Sequence, residues 1–201
     1  MTNKQQPIAF LIFFAVFCKR GAPRVTVNHR QNQNHIIMNI PAEYDEIRPY
    51  VPEELPQVFE ELIADPEFQA AMGYAFPGTP FEQIAGAMRA SKTNLDFQKA
   101  LVKPFLEGLL AKLSSGITMS YDNKESLHNA LCISNHRDII LDSAFLCILF
   151  VEHIGNTVEI AIGDNLLIRP WIKKLVRVNR SFIVQRSASI REMLASSKRL
   201  S

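Results

Sequence analysis

Apolar residues in the first half of the chain recur at the spacing of helix faces, which predicts a helical region over residues 38–120. Such stripes are most often core contacts between helices. A polar residue followed by proline is a typical helix start, and it occurs at Asp65-Pro66 and again at Thr79-Pro80. The pattern therefore indicates several short helices that begin at defined positions.

Beyond residue 120 the pattern changes to short apolar runs bounded by turn residues, which is typical of buried strands. The runs are 129–133, 157–162 and 182–185. With the helices before them, they predict an α/β fold. A helical N-terminal part is followed by the first strands and helices of a sheet domain over residues 121–201.

Residues 1–37 do not fit this organisation. The apolar run 8–18 is shorter than the roughly 20 residues that span a bilayer, and the residues after it lack the small side chains of a cleavage site. The segment is either a membrane-leaning extension or translated upstream sequence, with Met38 as the natural start. Because both the spanning and the cleavage rules fail, we favour the second explanation, in which this extension is not part of the native domain.

Composition and charge indicate one globular unit with an uneven charge distribution. The 201 residues are 47% hydrophobic and 21% charged, with a formal net charge of +2. Acids are dense over residues 43–67, whereas the C-terminal part is rich in Arg and Lys. A basic surface there would suit phosphate groups and an anionic membrane face, or it is simply a solvated helix face.

The sequence provides no sign of a metal site, a disulfide or nucleic-acid binding. Cys18, Cys132 and Cys147 lack paired or metal-like spacing, and the last two lie in apolar runs typical of buried thiols. No recognised nucleic-acid motif and no alternation of aromatic and basic residues is present. We therefore expect neither a metal nor nucleic acid among the ligands.

Candidate chemistry lies just after the apolar run 129–133, where His136 follows Asn135 and precedes Asp138 and Asp142. Open α/β sheets bind ligands beyond the carboxyl ends of their strands. A histidine held by a carboxylate is a general base near neutral pH. The alternative is an ordinary helix start, with Asn135 as the cap, Asp138 in the first turn and His136 merely exposed.

This stretch resembles the signature block of the glycerolipid acyltransferases, in which Asn-His is followed by an aspartate at a strand-to-helix junction. Asn135-His136-Arg137 and the run 142–146 carry the resemblance. Five residues separate His136 from Asp142, one more than in the family pattern. The carboxylate that orients His136 is therefore either Asp142 or Asp138.

Two later segments extend the resemblance in the family's order. Gly163-Asp164-Asn165-Leu166 is similar to the family's Gly-Asp-Asn-Leu element, and residues 181–187 are similar to its apolar strand ending in arginine, here Arg186. Taken alone, these residues also suit a simple turn and a solvated strand-end arginine. The resemblance implies substrate-binding roles for Asn135, Arg137, Gly163, Asn165 and Arg186, with Arg186 holding the acceptor's phosphate.

The resemblance implies acyl transfer from a thioester of coenzyme A or acyl-carrier protein to a hydroxyl of a glycerol-phosphate or lysophospholipid. It implies no cofactor, and a peripheral or monotopic position on the cytoplasmic side of a membrane. The family's later glutamate-glycine block has no counterpart before Ser201, so we expect a C-terminally incomplete and weakly active domain with an open strand edge after residues 182–185. The alternatives are a non-catalytic lipid- or acyl-binding relative and a hydrolase.

Overall fold

The computed structural model describes residues 41–121, 123–128, 132 and 141–185. The helices are α1 (Leu55–Ile63), α2 (Pro66–Ala75), α3 (Phe81–Ala90), α4 (Asn94–Phe97), α5 (Lys103–Leu113), α6 (Leu141–Ile154) and α7 (Pro170–Val178), and the strands are β1 (Ile160–Gly163) and β2 (Ser181–Val184). A π-helical segment, Gln98–Val102, connects α4 to α5. The observed order confirms an α/β fold with a helical N-terminal part.

Local side-chain chemistry sets several helix starts. The Asp65 carboxylate accepts hydrogen bonds from the main-chain N–H groups of Glu67 and Phe68, at 2.9 and 3.1 Å, and so caps α2 as predicted. The matching prediction for Thr79 was wrong. Helix α3 begins at Phe81, so Pro80 itself takes the capping position and offers no side-chain acceptor.

One hydrophobic core joins the helical part to the sheet. Ile162 of β1 and Ile183 of β2 belong to the same buried cluster as apolar residues of α1, α2, α3, α4 and α7. Trp171 of α7 packs edge-on against Phe68 of α2, with ring centroids 6.0 Å apart. The tryptophan thus packs within the domain.

The two strands pair in parallel, with Ile160 opposite Ser181 and Gly163 opposite Val184. Helix α7 forms the crossover between them. On the other side of β2, the Ile183 N–H donates to the carbonyl of Ile47 at 2.8 Å. Residues 45–50, which we name the edge segment, therefore cover part of the strand edge that the sequence predicted to be open.

No helix in the described ranges is long and apolar enough to cross a membrane. Of the predicted strand at 129–133, only Cys132 lies within those ranges, and it has no regular secondary structure. The residues after Gln185 also lie outside them.

Candidate functional site

The carboxyl ends of β1 and β2 meet at one edge of the sheet, because the strands are parallel and Gly163 lies opposite Val184. Gly163 is buried and extended, with φ −73° and ψ 135°. The next residues, Asp164–Leu166, form a short 3-10 helix on which Asn165 is exposed. A buried glycine followed by an exposed amide leaves main-chain and side-chain polar groups at the strand ends, where α/β sheets bind ligands.

The end of β2 reaches the same edge. Val184 is its last residue and Gln185, which follows, is exposed. Arg186 is the next residue of the chain and lies outside the described residues. The parallel register thus brings the Gly-Asp-Asn-Leu element together with the main chain that leads into the predicted phosphate-binding arginine.

Asp142 lies in the first turn of α6 and is partly buried. A carboxylate at this position is favoured by the positive end of the helix dipole. The following residue, Ser143, is buried, and Ala144 packs with Leu106 of α5 and Ile148 in a second small core. Packing on the adjacent turns therefore fixes the backbone that carries Asp142.

The remaining predicted site residues, Asn135, His136, Arg137 and Asp138, also lie outside the described residues. Their roles stay predictions, as does the choice between Asp142 and Asp138. Within the described part of the chain, no group of three or more His, Cys, Asp or Glu side chains could hold a metal ion.

Cys147 of α6 is a buried free thiol, as the sequence indicated. Burial raises the pKa of this thiol, an effect opposed in part by the Thr157 side chain and the Val158 main chain. A thiol with a raised pKa is a poor nucleophile at neutral pH. This chemistry favours a structural role for Cys147 in packing α6 near the start of β1.

The basic residues of α7 and the residue before it face the acids of the N-terminal region. Arg169 pairs with Glu67 at 3.1 Å, Lys173 with Glu46 at 2.9 Å, and Lys174 with Glu61 at 2.8 Å. Ion pairing with Lys173 lowers the pKa of Glu46, and pairing with Lys174 lowers that of Glu61. These cations therefore connect two parts of the fold, a role that neither sequence interpretation of the basic surface included.

Arg177 also belongs to the C-terminal part that is rich in Arg and Lys, but only 6% of it is exposed. On α7 it shares the charged face with Lys173 and Lys174, opposite Ile172 and Val176, and this position gave no signal of the main-chain groups it contacts. Sequence reasoning missed it because those groups lie more than a hundred residues earlier in the chain.

A comparison with known protein families gives a match over the part of the chain that contains this sheet edge. A family model described as Acyltransferase matches residues 117–200, a range that includes all three sequence blocks. No curated protein and no solved structure matches the chain. The match is consistent with the resemblance of these blocks to the glycerolipid acyltransferase family.

Proposed function

From the acyltransferase domain at residues 117–200, which supports acyl transfer in general, we propose a specific reaction for this protein. The protein moves a fatty acyl group from an acyl thioester to a hydroxyl of a glycerol-phosphate or lysophospholipid. The observation that carries this proposal is the parallel register of β1 and β2. It brings Gly163–Leu166 and the chain leading to Arg186 to the same edge of the sheet.

His136 is the proposed general base. It removes the proton from the acceptor hydroxyl, whose oxygen attacks the thioester carbonyl and forms the new C–O bond. As the C–S bond breaks, the imidazolium returns the proton to the departing thiolate. The substrate alcohol is itself the nucleophile, so the reaction needs no acyl-enzyme intermediate.

A carboxylate must hold the imidazole in the correct tautomer and stabilise its positive charge. Asp142 is our choice, because it lies on the first turn of a packed helix, and Asp138 is the alternative. In this proposal Arg186 binds the acceptor phosphate, and Asn135, Arg137, Gly163 and Asn165 complete substrate binding.

The proposal includes the setting of the reaction. Lysophospholipid acceptors and long acyl chains reside in membranes. The protein would therefore work on the cytoplasmic side of a membrane, as a peripheral or monotopic enzyme. The acyl donor would be a coenzyme A or carrier-protein thioester, and no cofactor would be required.

The test compares His136→Ala with His128→Ala as the control, since His128 is an exposed histidine at the end of the 3-10 helix Lys124–Leu127. Thiol release from palmitoyl-coenzyme A and formation of acylated product are measured with glycerol-3-phosphate and with a lysophospholipid. We expect His136→Ala to lower turnover by roughly 100- to 10,000-fold, the usual cost of losing a general base, whereas His128→Ala retains activity.

Three outcomes would contradict this assignment. Near-wild-type turnover in a folded His136→Ala protein would exclude His136 as the base. Free fatty acid release that does not require an acceptor would indicate a hydrolase. Tight binding of the thioester without any acyl transfer would indicate a non-catalytic relative.

A further inference from the structure

Arg177 is a buried arginine whose donors point to main-chain carbonyls of a distant segment. Its Nε donates to the carbonyl of Arg48 at 2.7 Å, and its Nη2 donates to the carbonyl of Asp45. The guanidinium carbon lies 3.9 Å from the centre of the Tyr50 ring. One side chain of α7 therefore contacts three residues of the edge segment at once.

The contact is reciprocal, because the main-chain N–H of Tyr50 donates to the carbonyl of Arg177 at 3.4 Å. The edge segment is also braced internally. The Arg48 guanidinium binds the Glu54 carboxylate through two bonds of 2.7 and 2.9 Å, and it binds Asp45 at 2.7 Å. A bidentate arginine–carboxylate pair adds geometric specificity, so Arg177 contacts a preorganised segment.

The edge segment in turn bonds to β2 through Ile47, whose carbonyl accepts from the Ile183 N–H at 2.8 Å. Ile183 is opposite Ile162 of β1, so it is held between neighbours on both sides. In the chain, Ile183 is only three residues before Arg186. Contacts at Ile183 thus fix the end of β2, the strand that precedes Arg186 in the chain.

We propose that Arg177 is a positioning residue for the acceptor site: it clamps the edge segment onto β2 and so fixes the end of this strand beside Gly163–Leu166. The inference rests on the proposed function for its catalytic consequence. Arg177 itself touches no substrate.

The chemistry of the contact requires arginine. A guanidinium presents several donors in a rigid planar fork and lies flat on an aromatic ring, whereas a lysine ammonium is a point charge on a flexible stem. Arg177→Met should release the edge segment, and Arg177→Lys should retain part of the clamp through a single carbonyl contact.

Hydrogen exchange tests the clamp without reference to activity. In Arg177→Met, exchange of the Ile183 amide should accelerate about tenfold or more, because local opening of the strand edge becomes easier. Arg177→Lys should give an intermediate rate. Exchange in α3 should not change in either variant.

The matched control is Arg89→Met. Arg89 also donates two side-chain bonds, at 2.7 and 3.0 Å, but both go to Glu60 of α1. This variant should leave Ile183 exchange at the wild-type rate. Unchanged Ile183 exchange in folded Arg177→Met and Arg177→Lys proteins would overturn the clamp, whether or not the chain is an acyltransferase.

Kinetics then test the consequence for the acceptor. With palmitoyl-coenzyme A and glycerol-3-phosphate, Arg177→Met should raise the KM for glycerol-3-phosphate by about 10- to 100-fold, the scale expected for misplacing a binding group by an ångström. The KM for the thioester should not change, and Arg177→Lys should restore part of the acceptor affinity.

A merely structural role predicts a different result. A core variant on α3, Met88→Ala, is compared for this purpose under conditions that give both variants the same loss of thermal stability. If Arg177→Met and Met88→Ala lower activity alike, with no selective change in acceptor KM, positioning of the acceptor site is refuted. If the wild-type chain transfers no acyl group, the proposed function and the acceptor half of this inference both fail, and exchange alone decides the clamp.

Discussion

Asp142 is the described residue on which the proposed chemistry most depends. It precedes Ser143, of which only 3% is exposed, and it lies in the first turn of α6, which packs against α5. A carboxylate with a fixed backbone can hold an imidazole in one orientation, which is what a general base requires. The family-like run 142–146 starts at the same residue.

We therefore predict that Asp142→Asn lowers turnover far more than Asp138→Asn. By analogy with the serine-protease triad, loss of the orienting carboxylate should cost up to about 10,000-fold, through the wrong imidazole tautomer. The measurement is kcat/KM for both variants, with circular dichroism as the check on folding. Greater damage from Asp138→Asn would transfer the role to Asp138.

At the level of elements, the start of α2 connects the helical part to α7. Asp65 caps the helix, and Glu67 in its first turn binds both Arg169, at 3.1 Å, and the indole N–H of Trp171, at 3.1 Å. Arg169 and Trp171 flank the first residue of α7, which begins shortly after Asn165. The capped start of α2 therefore contacts the start of α7, which follows the candidate site in the chain.

Asp65→Ala should therefore destabilise the protein by about 1 kcal/mol, the typical cost of removing a helix N-cap. Urea unfolding monitored through Trp171, the single tryptophan, measures the change. Asp65→Asn, which keeps an acceptor oxygen at the cap, is the control and should retain most of the stability. Equal loss in both variants would mean that capping is not the cause.

At the scale of the whole molecule, ion pairs link the acidic N-terminal region to the basic helix α7, in addition to their shared core. The pairs Lys173–Glu46 and Lys174–Glu61 lower the pKa of both carboxyl groups in the folded protein. A carboxyl group with a lowered folded-state pKa stabilises the fold above its ordinary pKa of 4.5 and loses that contribution as the pH falls below it. Because these groups are largely exposed, each contribution is modest and sensitive to salt.

We predict that stability decreases as the pH is lowered from 7 to about 3, and that part of this decrease belongs to these pairs. The double variant Glu46→Gln/Glu61→Gln should show lower stability at pH 7 and a shallower dependence on pH. Urea midpoints across the pH range, read from Trp171 fluorescence at low salt, provide the measurement. An identical pH dependence in wild type and variant would show that the pairs do not stabilise the fold.

The sequence by itself determined the features that depend on neighbours a few residues away. The Asp65 cap, the apolar strands β1 and β2 and the order of the three blocks are local, since capping, alternation and turn preferences act within a turn or a strand. The α/β class follows from these elements. Because the strands are parallel, their carboxyl ends meet at one edge, and this places the Gly163–Leu166 element beside the end of β2.

Only the tertiary structure decided which distant groups meet. Arg177 binds the carbonyl of Asp45 across 132 residues, and Arg169 meets Glu67 across 102 residues. A sequence shows charges and apolar positions but not the geometry that brings a buried guanidinium onto main-chain oxygens or the edge segment onto β2. Such contacts depend on how the common core orients every element at once, because a side chain's partners are set by packing and not by its spacing along the chain.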